Sequence, residues 1–254
     1  MERLLNYFRP ENYQLELRIN KETEAVQGHV LIKGEKVGPT VKLHTKNLKI
    51  TAVTVNGELK PTRQSEDILE ILELDTLAEN QLQIDLKYHF KLNSNMEGVY
   101  LSTYEFEGKT ERIVSTQFES HYAREAFPCV DEPEAKATFD LKIIDTDATD
   151  TILSNMPIKT ERVLEYNSVD PDQSPAQGVG LNTTVRRKIV EFETTPKMST
   201  YLLAFVLGHF HKISAKSVHG VEVSTYAALN QPRSMLKFPN QIALEALDFY
   251  DDLF

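Results

Sequence analysis

The stretch that decides the reading runs from Ser115 to Phe139, S-T-Q-F-E-S-H-Y-A-R-E-A-F-P-C-V-D-E-P-E-A-K-A-T-F. On either side the chain alternates apolar and polar residues as half-buried strands do, whereas here charged and turn-forming residues crowd among apolar ones. Gln117 and Glu119 stand two apart, so on an extended backbone both side chains leave the same face. Phe127-Pro128-Cys129 and Asp131-Glu132-Pro133 then fix φ at two prolines, which imposes a rigid, non-helical path. Glu119 beside the Gln117 amide suits an ammonium ligand, the carboxylate supplying charge and the amide a directional hydrogen bond. The competing reading pairs Glu119 with Arg124 or Lys136 and makes it a brace, and pattern alone leaves both open. Arg124, Asp131, Glu132 and Lys136 read as an internal pairing network around the turn.

Upstream, Tyr13, Leu15, Leu17 and Ile19 alternate with Gln14, Glu16 and Arg18, a half-buried strand of period two. Val30 and Ile32 mark a second strand after a turn region over 22–28, and others are expected near 41–44, 48–55 and 68–74. Leu82, Ile84, Leu86, Tyr88 and Phe90 make the cleanest alternation; strands at 99–106 and 113–114 lead into the focal stretch. Asn56-Gly57 between two strand-like runs predicts a tight hairpin, since both residues tolerate positive φ. Downstream, strands are expected from Phe139, Leu141 and Ile143, then at 151–153 and 185–192, with a long surface loop over 166–184. Tyr201 to Phe210, nearly all apolar, predicts a strand covered on both faces. The last strand is expected at 221–226. The pattern is that of an all-β domain.

The end of the chain departs from it. Phe238, Ile242, Leu247, Tyr250 and Leu253 fall near helical spacing, with Pro239 close to the start. The helix closes on Asp251-Asp252-Leu253-Phe254, without a glycine cap and with acids where the helix dipole prefers bases. Residues 237–254 therefore read as the opening of an element that continues.

Composition bounds the partners. The 254 residues are 41% hydrophobic and 26% charged, with a formal charge of −10. That charge argues against nucleic acid and against an anionic membrane, both of which need a basic surface. Cys129 is the only cysteine, so no internal disulfide forms, and its setting between Pro128 and Val130 reads as a small buried hydrophobe. With neither a signal core nor a membrane run, a cytoplasmic location is expected. None of the seven histidines lies in H-E-x-x-H, and neither a nucleophile elbow nor a phosphate-binding glycine loop occurs. His209 and His211 share a strand face, but no third ligand is suggested nearby and no metal is assigned to them. Trp is absent, which disfavours a carbohydrate-binding sandwich. The chain carries no complete catalytic constellation.

At Thr116-Gln117-Phe118-Glu119, Ala123-Arg124, Phe127-Pro128-Cys129, Asp131-Glu132-Pro133 and Lys136-Ala137-Thr138-Phe139 the chain resembles the zinc aminopeptidases of the aminopeptidase N family. Met198-Ser199-Thr200-Tyr201-Leu202-Leu203-Ala204-Phe205 resembles that family's strand near the end of the same domain, so the likeness extends over the whole chain. The resemblance implies a saddle-like β-sandwich N-terminal domain over residues 1–236, packed over a thermolysin-like catalytic domain whose first helix is residues 237–254. It implies zinc in the full-length enzyme, with the zinc ligands, the general base and a glycine-rich exopeptidase motif that helps hold the substrate's free amine all in the catalytic domain, and no zinc bound by this chain, which is then inactive alone. By position, Glu119 would bind the α-ammonium of a peptide N-terminus and Gln117 would line the pocket for the first side chain. Arg124, Asp131, Glu132 and Lys136 match the motif as structural residues, and His121-Tyr122 takes no role. The expected partners are a peptide N-terminus and the catalytic domain of the same protein. The alternative is a non-catalytic β-sandwich interaction module related to the aminopeptidases.

Overall fold

The computed structural model describes residues 2–74, 79–167 and 184–254. In chain order the strands are β1 (Phe8–Asn20), β2 (Ala25–Lys36), β3 (Val41–His44), β4 (Lys49–Val55), β5 (Glu58–Leu59) and β6 (Thr62–Gln64). There follow β7 (Ile68–Ile71), β8 (Gln81–Lys91), β9 (Gly98–Phe106), β10 (Lys109–Gln117), β11 (Thr138–Asp145) and β12 (Thr151–Ser154). The last are β13 (Ile158–Asn167), β14 (Thr184–Phe192), β15 (Phe205–Gly208), β16 (Phe210–Lys216) and β17 (Glu222–Ala228), before the helix α1 (Lys237–Leu253). The all-β class with one C-terminal helix holds. None of the described helices is long and apolar enough to cross a membrane.

The chain divides into two compact units, residues 1–102 with 114–207, and residues 103–113 with 208–254. In the first, eight strands form one sheet in the order β13-β14-β11-β1-β2-β8-β4-β5. It is antiparallel except where β1 runs parallel to β11. The period-two pattern sets its inner face: Tyr13, Leu15, Leu17 and Ile19 of β1 and Leu82, Ile84 and Leu86 of β8 are each buried. Gly28 is required where it stands, because a Cβ there would lie 2.2 Å from the Tyr88 ring that crosses it from β8. The Asn56-Gly57 hairpin joins β4 to β5 with both residues at positive φ, 51° and 86°.

The inner face of β1 and β11 is covered by the 115–139 segment. Tyr13 stacks on Phe139 at 5.0 Å, and Phe127 meets both rings edge-on. Tyr13 Oη accepts the Val130 N–H at 3.1 Å, and His44 of β3 pairs with Cys129 through two backbone hydrogen bonds. The three-stranded sheet β3-β7-β6 is thereby tied to the same segment.

At the far end of β11, Asp145 and Asp150 are both fully buried beside Lys21. Lys21 pairs with Asp150 and lies 3.6 Å from Asp147. Burial first, and then Asp150, push the Asp145 carboxyl up to about 8.

In the second unit β16 and β17 pair from Phe210↔Ala228 to Lys216↔Glu222, and α1 packs on both. Asn240 holds it, its Nδ2 donating to the Val223 carbonyl and to Thr225 Oγ1, each at 3.0 Å. His209 Nδ1 lies 2.8 Å from Glu111, and His211 meets Phe106 edge-on.

Three details depart from the sequence expectations. β2 begins at Ala25, so the turn after β1 is shorter than the 22–28 region. Tyr201 to Phe210 is not one strand: residues 200–202 form a 3-10 turn, β15 is four residues long, and β16 is separate. The hydroxyls of Ser199 and Thr200 bind Pro133 O and Asp131 Oδ1, which turns the backbone before it can extend. β13 carries no period-two signal. It is an edge strand with Ile158, Val163 and Leu164 all exposed, held by its backbone ladder to β14. The loop expected over 166–184 falls, for residues 168–183, outside the described residues.

Candidate functional site

β10 ends at Gln117, and the chain turns at once. Phe118 is buried against Phe127, their centroids 6.2 Å apart, while Glu119 and Ser120 are exposed. Tyr122 N donates to Phe118 O at 2.9 Å and closes the turn, whose exposed tip is Glu119-Ser120-His121. An apolar anchor followed by polar residues gives this local fold: Phe118 is drawn into the core and its successors are left in water. Glu119 thus sits just beyond the strand on which it was expected to share a face with Gln117. The two are joined instead by Gln117 Nε2 donating to the Glu119 carbonyl at 3.4 Å.

Below the tip lies a braced corner. A 3-10 turn at Ala123–Glu125 buries Arg124, whose Nε donates to Asp131 Oδ2 at 3.0 Å and whose Nη2 donates to the Asp131 carbonyl at 3.2 Å. Their side chains are 9% and 1% exposed, so the ion pair is desolvated and depends on complete hydrogen bonding. Thr200 Oγ1 supplies the remaining donor to Asp131 Oδ1 at 2.6 Å. Asp131 N donates to His44 Nδ1 at 3.1 Å, which makes that nitrogen an acceptor. Burial, followed by the Arg124 charge, lowers the His44 pKa to about 4, so the imidazole is neutral near pH 7.

The corner is also where the two sequence motifs meet. Ala137 and Met198 exchange backbone hydrogen bonds at 3.1 and 3.0 Å, and Phe205 N donates to Thr116 Oγ1 at 3.0 Å. Glu132 is not in the Arg124 pair: its Oε1 accepts the Leu4 N–H at 2.5 Å and its Oε2 lies 3.6 Å from Arg3. Lys136 is exposed and its ammonium has no partner among the described residues. Arg124 is therefore committed to Asp131 and not to Glu119. Burial and then Asp131 raise the Cys129 thiol well above its usual range, which suits a packed side chain and not a nucleophile.

Three groups at this corner escaped the sequence reading. His44 and Thr200 reach Asp131 across 87 and 69 residues, and no periodic pattern marks such a meeting. The third is Tyr122, whose hydroxyl donates to Glu97 Oε1 at 2.8 Å. Two hollows, of about 1450 and 380 Å³, open along strands of the large sheet, and neither is lined by Gln117 or Glu119. Gln117 and Glu119 are both exposed on the surface of the first unit.

Comparison with known proteins identifies the family. Residues 9–173 match the family profile described as the peptidase M1 N-terminal domain. Aminopeptidase N of Lactococcus lactis subsp. lactis is 41% identical over 254 residues, a match that covers 99% of this chain and 27% of that protein. Puromycin-sensitive aminopeptidase of Caenorhabditis elegans is 33% identical, over 100% of this chain and 26% of its own length. Aminopeptidase M1-C of Oryza sativa subsp. japonica is 31% identical, over 99% of this chain and 27% of its own length. The chain spans about a quarter of the length of the curated relatives it matches.

Proposed function

Because the chain belongs to the peptidase M1 N-terminal domain family, we propose that it is the substrate-recognition part of a zinc-dependent aminopeptidase that removes residues from peptide N-termini. Glu119 receives the α-ammonium of the substrate, and Gln117 lines the pocket for the first side chain. The observation that carries this reading is the exposed Glu119 on a short turn whose base is locked by Arg124, Asp131 and Thr200. A carboxylate held on such a base attracts a cation without first having to be ordered, and an exopeptidase needs one fixed anion to measure a single residue from the chain end. Lys136 and Arg124 leave it available, the one being exposed and the other paired elsewhere.

Among the described residues, the side chains around the Glu119 turn do not fit a catalytic zinc. H-E-x-x-H does not occur in the 254 residues, and His44, behind the corner, spends Nδ1 on a backbone N–H. In this reading zinc and the general base belong to a separate catalytic domain of the full-length protein, of which residues 237–254 are the first helix and residues 1–236 the preceding domain. The chain alone is then inactive. This reading takes the protein to be cytoplasmic. The test is hydrolysis by the full-length protein. Release of N-terminal residues from peptides that is abolished by a chelator and absent from the 254-residue chain is the expected result. Activity that survives chelation contradicts it.

A further inference from the structure

The turn that presents Glu119 is anchored at one end by buried Phe118 and at the other by buried Ala123 and Arg124. Between them Glu119, Ser120 and His121 are exposed, and among the described residues their one side-chain hydrogen bond is local, Ser120 Oγ lying 2.8 Å from His121 Nδ1. Tyr122 is the residue of the turn whose side chain reaches another segment. Its hydroxyl donates to Glu97 Oε1 at 2.8 Å, and the His121 ring lies stacked on its own at 4.9 Å. The same hydrogen bond raises the Tyr122 phenol, as a proton held between an aromatic hydroxyl and a carboxylate requires.

Glu97 is itself fixed. Asn93 Nδ2 donates to the Glu97 carbonyl at 2.7 Å, Asn93 Oδ1 accepts Asn95 N at 3.0 Å, and Leu101 N donates to Asn93 O at 2.8 Å. Met96 and Gly98 take positive φ on either side of it, 62° and 61°. The loop lies close against the turn's base: a Cβ on Gly98 would stand 3.3 Å from the Cβ of Glu125. Glu125 in turn pairs with Lys46 at 2.9 Å. A braced loop thus extends one carboxylate to the Tyr122 hydroxyl of the turn.

We infer that Tyr122 and Glu97 form a latch that sets the pose of the Glu119 turn, and so determines how strongly the site distinguishes a charged amine from its absence. The inference rests on the reading of Glu119 as the ammonium receptor. Tyr122 and Glu97 are positioning residues, acting on the substrate only through the turn. Charge–charge recognition on a tip depends on distance and on prior order, and both are lost when an untethered turn moves away. The role requires an acceptor oxygen at residue 97, not its negative charge.

The experiment uses the full-length protein and two competitive inhibitors, leucine hydroxamate and its des-amino counterpart, 4-methylpentanoyl hydroxamate. The ratio of their inhibition constants reads ammonium recognition alone, because the rest of the molecule is common to both. A large ratio in the wild type is expected. Tyr122→Phe and Glu97→Ala are each expected to reduce it about tenfold, in keeping with the sensitivity of positioned groups to small displacements. The des-amino constant and the melting temperature should stay unchanged. Glu97→Gln, which keeps an acceptor oxygen, should retain the wild-type ratio. A wild-type ratio near one overturns the Glu119 reading and the latch with it. A large wild-type ratio that persists in both Tyr122→Phe and Glu97→Ala overturns the latch alone, and so does a Glu97→Gln variant that falls as far as Glu97→Ala.

Discussion

Thr200 Oγ1 donates to Asp131 Oδ1 at 2.6 Å, and this contact joins residues 69 apart into the corner on which the Glu119 turn stands. Asp131 also holds buried Arg124, so its carboxylate is the centre of the brace. Replacing Asp131 by Ala leaves a buried guanidinium without its counter-charge and should cost about 3–5 kcal/mol of stability. Thr200→Val leaves one carboxylate oxygen unsatisfied and should cost about 1–3 kcal/mol. Urea unfolding of the 254-residue chain measures both, and the double variant should lose less than the sum, since the two side chains meet on one group.

His44 gives the corner an acid limit. Its pKa is about 4 when folded, so between its ordinary value near 6.5 and pH 4 the unfolded chain takes up a proton that the folded chain refuses. Stability from this group is complete above pH 6.5 and is lost as pH falls through 4. His44→Asn keeps a side-chain acceptor for the Asp131 N–H and does not titrate. Its unfolding midpoint, compared with that of the parent from pH 7 to pH 4, should fall less on acidification.

Asp145 acts in the opposite direction. Its carboxyl is held up at about 8 by burial and by Asp150, so the folded chain keeps a proton that the unfolded carboxyl gives up near pH 4. The stability it confers is complete below pH 4 and is lost as pH rises through 8. Asp145→Asn should remove that decline, and melting temperatures between pH 5 and pH 9 would show a flatter curve than the parent's. Parallel curves would mean that Asp145 is charged in the fold.

Much of this architecture is legible in the residues. β1 and β8 repeat with period two because one face of each is covered, and every inward position named from the sequence is buried in the structure. The rigid path through Pro128 and Pro133 is legible too, whereas the turn at Glu119 is not: the two-residue spacing keeps Glu119 on the strand with Gln117, and that strand ends at Gln117, one residue after Thr116. What else escapes is of two kinds. β13 is an edge strand without a buried face, so its pairing rests on the backbone and leaves no trace in side-chain order. His44, Thr200 and Glu97 come to the corner from distant segments, and contacts of that kind have no spacing to read.

The helix shows a further limit of periodicity. α1 sets Asn240, Leu244, Leu247 and Asp248 on the side that is buried or half-buried, whereas Phe238, Ile242, Phe249 and Leu253 are exposed along the opposite side. Of the stripe read from spacing, only Leu247 lies on the less exposed side. An apolar stripe of this kind on the chain alone should drive association. Sedimentation of the 254-residue chain at rising concentration should show self-association, and Phe238→Ser combined with Phe249→Ser should suppress it. A monodisperse monomer throughout would count against a covering domain on that side.

The central claim is that Glu119 holds the substrate's ammonium. It is tested most directly by kcat/KM of the full-length protein on an aminoacyl anilide with a free amine. Glu119→Ala and Glu119→Gln should each lower it about a hundredfold, the scale of a lost partner in a desolvated charge pair, with the melting temperature unchanged because Glu119 is exposed and not part of the brace. Values within twofold of the wild type for both variants would contradict the claim.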